Sequence, residues 1–228
     1  MNIIRFERIN STQDYAKEHI SSFTEPTIII AKEQTEGKGR YGRRFLSPEG
    51  GLYLSFIIEL DFPSLNIVAP LGIAESLSRI GIETKILWPN DIIYKGKKIG
   101  GVIIERIDKK IIIGIGINCN NRIDDFDEYL RENITTIYEI KKEKIDIEEL
   151  GISIVEQILY LMKDYEFLKD LYERRMEGIG KKVKIIKDDG EEIKGIIKGI
   201  NENGELILRN NDNKSIVVIS AKKLILPD

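Results

Sequence analysis

Residues 98–117 read KIGGVIIERIDKKIIIGIGI, and they predict two neighbouring strands of one sheet. The runs 98–107 and 110–117 are rich in isoleucine, and AspLysLys between them has the composition of a hairpin turn. Gly114 and Gly116 alternate along the second run, so they fall on one face of that strand. Glycine inside a strand gives up side-chain packing and often marks a close approach by another group. We therefore expect something flat to lie against this face.

Further strands and helices surround this pair along the chain. Short apolar runs predict strands at 3–9, 27–31, 52–60, 83–88 and 91–94. Helical spacing of apolar residues, with Ser11 as an N-cap, predicts helices at 11–21, 64–80 and 146–176 and helical turns within 124–142. Gly81 is expected to end the second helix, and Gly151 is where the third would break. A chain of 228 residues is long enough for one good core and a small appendage.

The character of the sequence changes after GluGlyIleGly at 177–180. Short apolar runs now alternate with turn segments such as AspAspGly and AsnGluAsnGly. This pattern predicts a small SH3-like or OB-like β-barrel. We expect two domains, at 1–178 and 179–228.

Composition excludes several classes of site. The chain has 38 acidic and 35 basic residues, a net charge of -3, one cysteine (Cys119) and one histidine (His19). One cysteine excludes an internal disulfide, and one histidine argues against a zinc site or a Ser-His-Asp triad. His19 is expected to be a plain helix-terminal residue. The N-terminus lacks a signal-peptide pattern and no apolar run is long enough to span a bilayer, so we expect a cytoplasmic protein.

A cationic glycine-rich segment follows the strand at 27–31. It reads GlyLysGlyArgTyrGlyArg at 37–43 and formally matches the dinucleotide-binding GxGxxG pattern. LeuSerProGluGlyGly follows where that motif requires a helix, and ArgArg replaces the Lys-Ser/Thr of a Walker A loop. With both motifs excluded, the chemistry of the segment still indicates anion binding. Glycine amides can approach an anion closely, and Arg40 and Arg43 can form paired hydrogen bonds to carboxylate or phosphate oxygens. A flexible solvated loop and a basic arm for nucleic acid are the alternatives.

Two further motifs stand on neighbouring strands. TrpProAsnAsp at 88–91 lies at a strand-turn-strand junction, and Lys98 directly precedes IleGlyGly on the next strand. Asn118 ends the strand that carries Gly114 and Gly116, where its amide can meet a base edge or a phosphate.

Taken together, GluGlyLysGlyArgTyrGlyArg, TrpProAsnAsp, LysIleGlyGlyValIleIleGlu and GlyIleGlyIleAsn resemble the motifs of the biotin protein ligases. The resemblance implies an α+β fold, with a mixed β-sheet backed by helices as in class II synthetase-like and lipoate ligases, and an SH3-like C-terminal domain. It implies that biotin and ATP-Mg²⁺ form biotinyl-5′-AMP and pyrophosphate. The acyl group then passes to a specific lysine of a biotin carboxyl carrier protein.

The resemblance also assigns roles to single residues. Arg40 and Lys98 would be catalytic, contacting the biotin carboxylate and the α-phosphate. Residues of four segments would bind biotin: Ser11, Thr12, Gln34, Gly50, Gly51, Leu52, Tyr53, Gly100 and Gly101. Those near the nucleotide would be Gly37, Lys38, Gly39, Arg43, Phe45, Asn90 and Asn118. No residue is assigned as a metal ligand, because Mg²⁺ would bridge phosphate oxygens.

Three positions depart from the family pattern. The family commonly has Arg at Lys38, Trp at Phe45 and a basic residue at Leu87. Some members repress transcription through an N-terminal helix-turn-helix domain. Here the Ser-Thr pair already falls at 11–12, so we expect no specific DNA binding. The resemblance alone implies a homodimer through sheet edges. The alternative enzyme is a lipoate-type ligase, and the alternative class is a nucleic-acid-binding module.

Overall fold

The computed structural model describes residues 1–60, 62–163, 167–210 and 212–226. The strands are β1 (Asn2–Ile9), β2 (Thr27–Gln34), β3 (Leu52–Glu59), β4 (Lys85–Leu87), β5 (Asp91–Tyr94), β6 (Lys97–Ile107), β7 (Lys110–Ile117), β8 (Lys182–Ile186), β9 (Glu192–Ile200), β10 (Leu206–Arg209), β11 (Ser215–Val218) and β12 (Lys223–Ile225). The helices are α1 (Thr12–Glu18), α2 (Leu65–Arg79), α3 (Glu128–Arg131), α4 (Ile137–Lys141), α5 (Ile147–Leu161) and α6 (Leu168–Arg175).

A seven-stranded mixed sheet forms the centre of the fold. Its strand order is β1-β2-β3-β7-β6-β5-β4, and β1 and β2 pair in parallel while the other neighbours are antiparallel. The predicted pair β6–β7 lies inside this sheet. Their hairpin turn contains Asp108 in the left-handed region, and the β5–β6 turn contains Lys95 and Gly96 at φ +48° and +81°. Positive φ at both central residues suits the twist of a tight hairpin.

The two faces of the sheet have different neighbours because side chains alternate along each strand. Leu52, Leu54 and Phe56 of β3 point to the main core, which α2 and α5 cover. Ile57 points to the other face, where it joins a small apolar cluster beneath α1. This second face is covered by α1 over only part of its area, and the remainder forms the floor of the candidate site.

Gly151 does not interrupt the third predicted helix, which is a correction to the sequence-based expectation. α5 runs through it without a break, and the helical region divides instead between Leu161 and Leu168. A Cβ atom at Gly151 would lie 3.0 Å from Cδ1 of Leu52 and 3.1 Å from Cδ1 of Leu54. Glycine therefore lets this helix pack closely on β3, and the helix tolerates it because tertiary packing outweighs its low intrinsic propensity.

The C-terminal strands form a separate antiparallel sheet, in the order β11-β10-β9-β8-β12. This small sheet is consistent with the expected SH3-like domain, although no pairing between β11 and β12 closes it within the described residues. Its buried apolar residues join the core of the larger unit. Polar contacts add to this packing: Trp88 Nε1 donates to the Gly204 carbonyl at 2.9 Å, and the Ile200 amide donates to Glu173 Oε1 at 2.9 Å. The division at 178/179 stays a prediction.

Candidate active site

The glycine-rich segment 37–45, called the flap below, folds into a small closed hairpin. The Phe45 amide donates to the Gly37 carbonyl at 2.8 Å, and the Gly39 amide donates to the Arg43 carbonyl at 2.7 Å. Tyr41 and Gly42 reverse the chain with φ of +61° and +68°. Gly42 reaches positive φ without a steric penalty, whereas Tyr41 is a non-glycine residue in the left-handed region. The hairpin holds its basic side chains beside the open part of the sheet.

Two cations of the flap are fixed by neighbouring polar groups. Arg40 Nη1 lies 3.5 Å from Asn90 Oδ1, and Arg40 Nη2 lies 3.0 Å from the Tyr41 hydroxyl. Lys38 Nζ lies 2.5 Å from Asp14 Oδ2, and Asp14 also pairs with Lys17 at 3.1 Å. Partial burial acts to raise the pKa of Asp14, and hydrogen bonds from the two lysines outweigh it, so the net pKa is lowered. The flap is thereby tied to α1.

Lys98 faces the cavity because of a bulge in β6. The β5–β6 register pairs Ile92 with Gly100 and Ile93 with Lys98, so one residue of β6 is extra. A bulge shifts the alternation of side chains and often re-aims one beside a functional site. Here it turns Lys98 towards the cavity, where Nζ lies 2.7 Å from Asp91 Oδ1 of the TrpProAsnAsp motif. Both side chains are about one-third exposed, at 36% and 31%.

Neutral hydrogen-bonding groups line the recess between β2, β3 and α1. Gln34 Oε1 accepts from the Thr12 amide at 2.9 Å and from the Thr12 hydroxyl at 3.1 Å, while Gln34 Nε2 donates to Ser47 Oγ at 3.0 Å. The buried Ser55 hydroxyl lies 2.9 Å from both Thr12 Oγ1 and Gln13 Oε1. A single hydroxyl proton can serve one of these acceptors at a time, so the other has capacity for an incoming N–H group.

The glycine face of β7 receives planar protein groups, as the sequence predicted. A Cβ at Gly114 would lie 2.5 Å from Gln13 Oε1, and a Cβ at Gly116 would lie 2.6 Å from a ring carbon of Phe45. The two glycines thus make room for an amide of α1 and for the aromatic ring of the flap. Phe45 also meets Tyr53 edge to face, with ring centroids 6.4 Å apart.

One cavity of about 280 Å³ brings these groups together. Eleven of the predicted site residues line it: Ser11, Thr12, Gln34, Lys38, Gly39, Arg40, Arg43, Phe45, Asn90, Lys98 and Gly101. A second cavity of about 420 Å³ adjoins it and is lined also by Trp88, Asn66 and Gly204. Lys38, Arg40 and Asn90 line both, so the flap arginine lies where the two cavities meet.

Four consecutive predicted biotin-binding residues, Gly50 to Tyr53, lie outside the 280 Å³ cavity. Gly50 and Gly51 line a different cavity, of about 520 Å³, beside β1. Leu52 is buried against α5, and Tyr53 is buried with its hydroxyl donating to the Pro48 carbonyl at 2.6 Å. Burial also raises the pKa of Tyr53. Consecutive residues of a strand face opposite sides of the sheet, so Leu52 and Tyr53 cannot both present their side chains to one pocket.

Three other predicted residues also lie outside this cavity. A Cβ at Gly37 would lie 2.5 Å from the Phe45 carbonyl oxygen, and one at Gly100 would lie 2.5 Å from the Gly116 carbonyl oxygen. Both glycines therefore permit close backbone packing. Asn118 is buried, and its Nδ2 donates to the Thr135 carbonyl at 3.1 Å.

Sequence reasoning missed four polar residues of the cavity: Gln13, Arg44, Ser55 and Asp91. Gln13 Nε2 donates to Glu105 Oε2 at 2.6 Å, which fixes the amide so that Oε1 faces Ser55. A usable signal existed for Ser55, since it is the one polar residue within the apolar run of β3 that ends at Ile58. Asp91 was quoted within its motif, but its pairing with Lys98 depends on the bulge.

The described ranges lack two kinds of feature. Within them, no group of three or more His, Cys, Asp or Glu side chains could hold a metal ion. No helix in those same ranges is both long enough and apolar enough to cross a bilayer. His19 caps the C-terminal end of α1 as expected, with Nδ1 3.0 Å from the Tyr15 carbonyl.

Comparison with known proteins identifies this arrangement. Residues 5–120 match the biotin/lipoate A/B protein ligase family, and residues 178–221 match the biotin protein ligase C terminal domain. The chain belongs to the biotin/lipoate A/B protein ligase family. The sequence-based assignment to the biotin protein ligases, and to their fold, is thus confirmed.

Individual relatives agree with the assignment. The bifunctional ligase/repressor BirA of Bacillus spizizenii is 32% identical over 92% of this chain and 70% of its own length. The biotin–[acetyl-CoA-carboxylase] ligase of Mycobacterium tuberculosis is 24% identical over 87% of this chain and 78% of its own. Among solved structures, the Aquifex aeolicus biotin protein ligase in complex with biotin and ATP superposes with a TM-score of 0.89 at 32% identity, covering 99% of both chains.

Proposed function

We propose that this chain joins biotin to ATP as biotinyl-5′-AMP and then transfers the biotinyl group to a lysine of a biotin carboxyl carrier protein. One observation carries the proposal. Arg40 of the flap and Lys98 of β6 line a single cavity that also contains the neutral recess around Thr12 and Gln34. A small polar molecule with a carboxylate can therefore meet both cations at once.

The first half-reaction needs this pair of cations. A biotin carboxylate oxygen must attack the α-phosphorus of ATP, and pyrophosphate must leave. Both reactants are anionic, so electrostatic repulsion and orientation dominate the barrier. Arg40 lies where the two cavities meet, and Lys98 lines the 280 Å³ cavity with it. Their charges would lower the repulsion, and no nucleophilic side chain is required.

The recess favours biotin over lipoate. Biotin carries a ureido group with two N–H donors and one carbonyl acceptor, whereas the dithiolane of lipoate has neither. Thr12, Gln34 and Ser55 supply hydroxyl and amide groups in a part of the site where Ser55 is fully buried. A site with buried polar groups rejects an analogue that leaves them unpaired. The lipoate-type ligase has no comparable observation in its favour.

Magnesium would enter with ATP. The cavity carboxylates Asp91 and Glu105 already accept from Lys98, Lys17 and Gln13, so phosphate oxygens and water would supply most of the ligands. Its contribution would be to neutralise charge on the leaving pyrophosphate.

We also propose a cytoplasmic location and a homodimer. The absence of specific DNA binding also stays a prediction, and a gel shift at physiological salt tests it.

Exchange of labelled pyrophosphate into ATP tests the activation step directly. We expect exchange that depends on biotin and Mg²⁺, and no exchange with lipoate. Transfer is then measured as mass gain on a carrier domain, with an acceptor-lysine-to-arginine carrier as the matched control. Exchange supported by lipoate alone would overturn the proposal. Calorimetric titration with biotin, with and without ATP, adds a binding readout that does not depend on turnover.

A further inference from the structure

Ser47 lies just after the flap, where the chain returns to the end of β2. Gln34 and Ser47 form an isolated antiparallel bridge, and the backbone amide of Gln34 donates to the Ser47 carbonyl at 3.0 Å. Residues directly opposed in an antiparallel pair place their side chains on the same face. Ser47 is only 3% exposed and lies outside the 280 Å³ cavity that Gln34 lines. A residue of the cavity is therefore paired with a buried serine that has no access to the ligand.

The Ser47 hydroxyl is the middle of a chain of hydrogen bonds that has a single direction. It donates to the Phe45 carbonyl at 2.9 Å and accepts from Gln34 Nε2 at 3.0 Å. At the other end, Gln34 Oε1 accepts from the Thr12 backbone amide at 2.9 Å. A carbonyl can only accept and a backbone N–H can only donate, so the two ends of the chain fix the orientation of the Gln34 side-chain amide.

Gly37 leaves room for this chain at the base of the flap. A Cβ at Gly37 would overlap Ser47 Oγ and would lie 3.0 Å from Gln34 Nε2. The Gly37 carbonyl also accepts from the Phe45 amide at 2.8 Å, which closes the hairpin beside the serine. Ser47 thus contacts both the closed end of the flap and the side chain of Gln34.

The direction of the chain determines what the recess can offer to a ligand. The Thr12 hydroxyl donates to Gln34 Oε1 at 3.1 Å, which leaves the Thr12 oxygen as an acceptor. Gln34 Nε2 carries two N–H groups, and while one is held by Ser47 the other can donate into the cavity. One acceptor and one donor side by side match a ureido group, which has N–H groups beside a carbonyl.

We propose that Ser47 is a positioning residue that holds the Gln34 amide for recognition of a ureido group and joins the recess to the end of the flap. Without its hydroxyl, the Gln34 amide would be held only through Thr12, and the Phe45 carbonyl would lose its donor. The identity of the ligand rests on the proposed function. The contact between Ser47 and Gln34 does not.

The experiment uses variants of the full chain. Ser47→Ala removes the hydroxyl, and Gln34→Ala with the double variant completes a double-mutant cycle. Ser64→Ala is the matched control, because Ser64 is also buried, at 1% exposed, and its hydroxyl donates to a backbone carbonyl, that of Glu202, at 3.0 Å. Thermal unfolding shows whether each variant keeps its fold. Should Ser47→Ala not fold, Ser47→Cys takes its place, since a thiol is a weak donor and a weak acceptor.

The first readout is the nuclear magnetic resonance signal of the Gln34 side-chain NH₂ group, identified by its loss in Gln34→Ala. We expect Ser47→Ala to speed hydrogen exchange of this group about three- to tenfold with no ligand present, the range of one hydrogen bond. The second readout is the Kd for biotin by calorimetry. We expect Ser47→Ala to raise this Kd about three- to tenfold, but by less than about twofold in the Gln34→Ala background. Ser64→Ala should match the wild type in both.

Either of two results overturns the inference. One is equality of Ser47→Ala with the Ser64→Ala control in either readout. The other is an equal loss of biotin affinity on Ser47→Ala with and without Gln34, which would show that the serine does not act through the glutamine. Failure of the proposed function is distinguishable, because the wild type would then bind no biotin. The exchange rate of the Gln34 amide would still decide the contact.

Discussion

Replacing Lys98 by alanine tests the role of its positive charge in the cavity. Lys98 Nζ lies 2.7 Å from Asp91 Oδ1 and lines the cavity with Arg40. Removing one preorganised donor from a developing anion costs roughly 3–4 kcal/mol, which is about 100- to 1,000-fold in rate. We expect Lys98→Ala to lower biotin-dependent pyrophosphate exchange by at least about a hundredfold.

Part of that loss would come from Asp91 and not from the missing cation. Without Lys98, the Asp91 carboxylate keeps its charge beside the place where phosphate would bind. A like charge about 5 Å away costs roughly 3 kcal/mol at an effective dielectric of 20, and less here because Asp91 is about one-third exposed. Lys98→Ala with Asp91→Asn should therefore recover about tenfold of the exchange rate. Failure of the double variant to recover would show that Asp91 does not repel the substrate.

Lys97→Ala is the matched control for Lys98. Lys97 is exposed and precedes Lys98 in β6, so the substitution removes the same charge from the same strand outside the cavity. We expect its exchange rate to stay within about twofold of wild type, as for most surface substitutions. An exchange rate for Lys98→Ala within about tenfold of wild type would refute the role assigned to Lys98.

Three further predictions concern the flap, its anchor and the core. Gly116→Ala should displace the Phe45 ring and cost about 1–3 kcal/mol of unfolding free energy, measured by thermal and denaturant unfolding. The pKa of Asp14 is lowered in the folded state, so its pairing with Lys38 stabilises the fold above about pH 4. This stabilisation is lost as the pH falls through the folded-state pKa of Asp14. Asp14→Asn should therefore flatten the fall in melting temperature at acid pH. Burial raises the pKa of Cys119 to about 12, so iodoacetamide at pH 8 should label it only after unfolding, and rapid labelling of the native protein would contradict its burial.

The sequence predicted what depends on short-range geometry. The alternation of Gly114 and Gly116 placed both on one face of β7, which follows from bond geometry within a few residues. The segment 37–45 was expected to be a flexible cationic loop, and its closed hairpin was not predicted. The assignment of Gly50, Gly51, Leu52 and Tyr53 to the biotin pocket stays a prediction, and none of the four lines the 280 Å³ cavity. A motif assigns consecutive residues to one pocket, whereas consecutive side chains of a strand point to opposite faces of the sheet.

The remaining misses needed tertiary information. Ser55 meets Gln13 only because α1 packs on the second face of the sheet, 42 positions away in sequence. Gly151 was expected to break a helix from its local propensity. The close approach of α5 to Leu52 and Leu54 makes the same residue favourable. Neither contact leaves a periodic signal, so a single sequence could not reveal it.

Arg40 differs from Lys38 and Lys98 in the charge of its hydrogen-bond partners. Lys38 and Lys98 each contact a carboxylate, of Asp14 and of Asp91, whereas the hydrogen bonds of Arg40 go to the neutral groups of Asn90 and Tyr41. An incoming anion must compete with those carboxylates for the lysines, but it can accept from Arg40 without displacing a charge. Arg40 should therefore make the first strong contact with the substrate, and the lysines should tighten only as negative charge develops. That order favours the transition state over the ground state, which is the condition for raising kcat and not merely lowering KM.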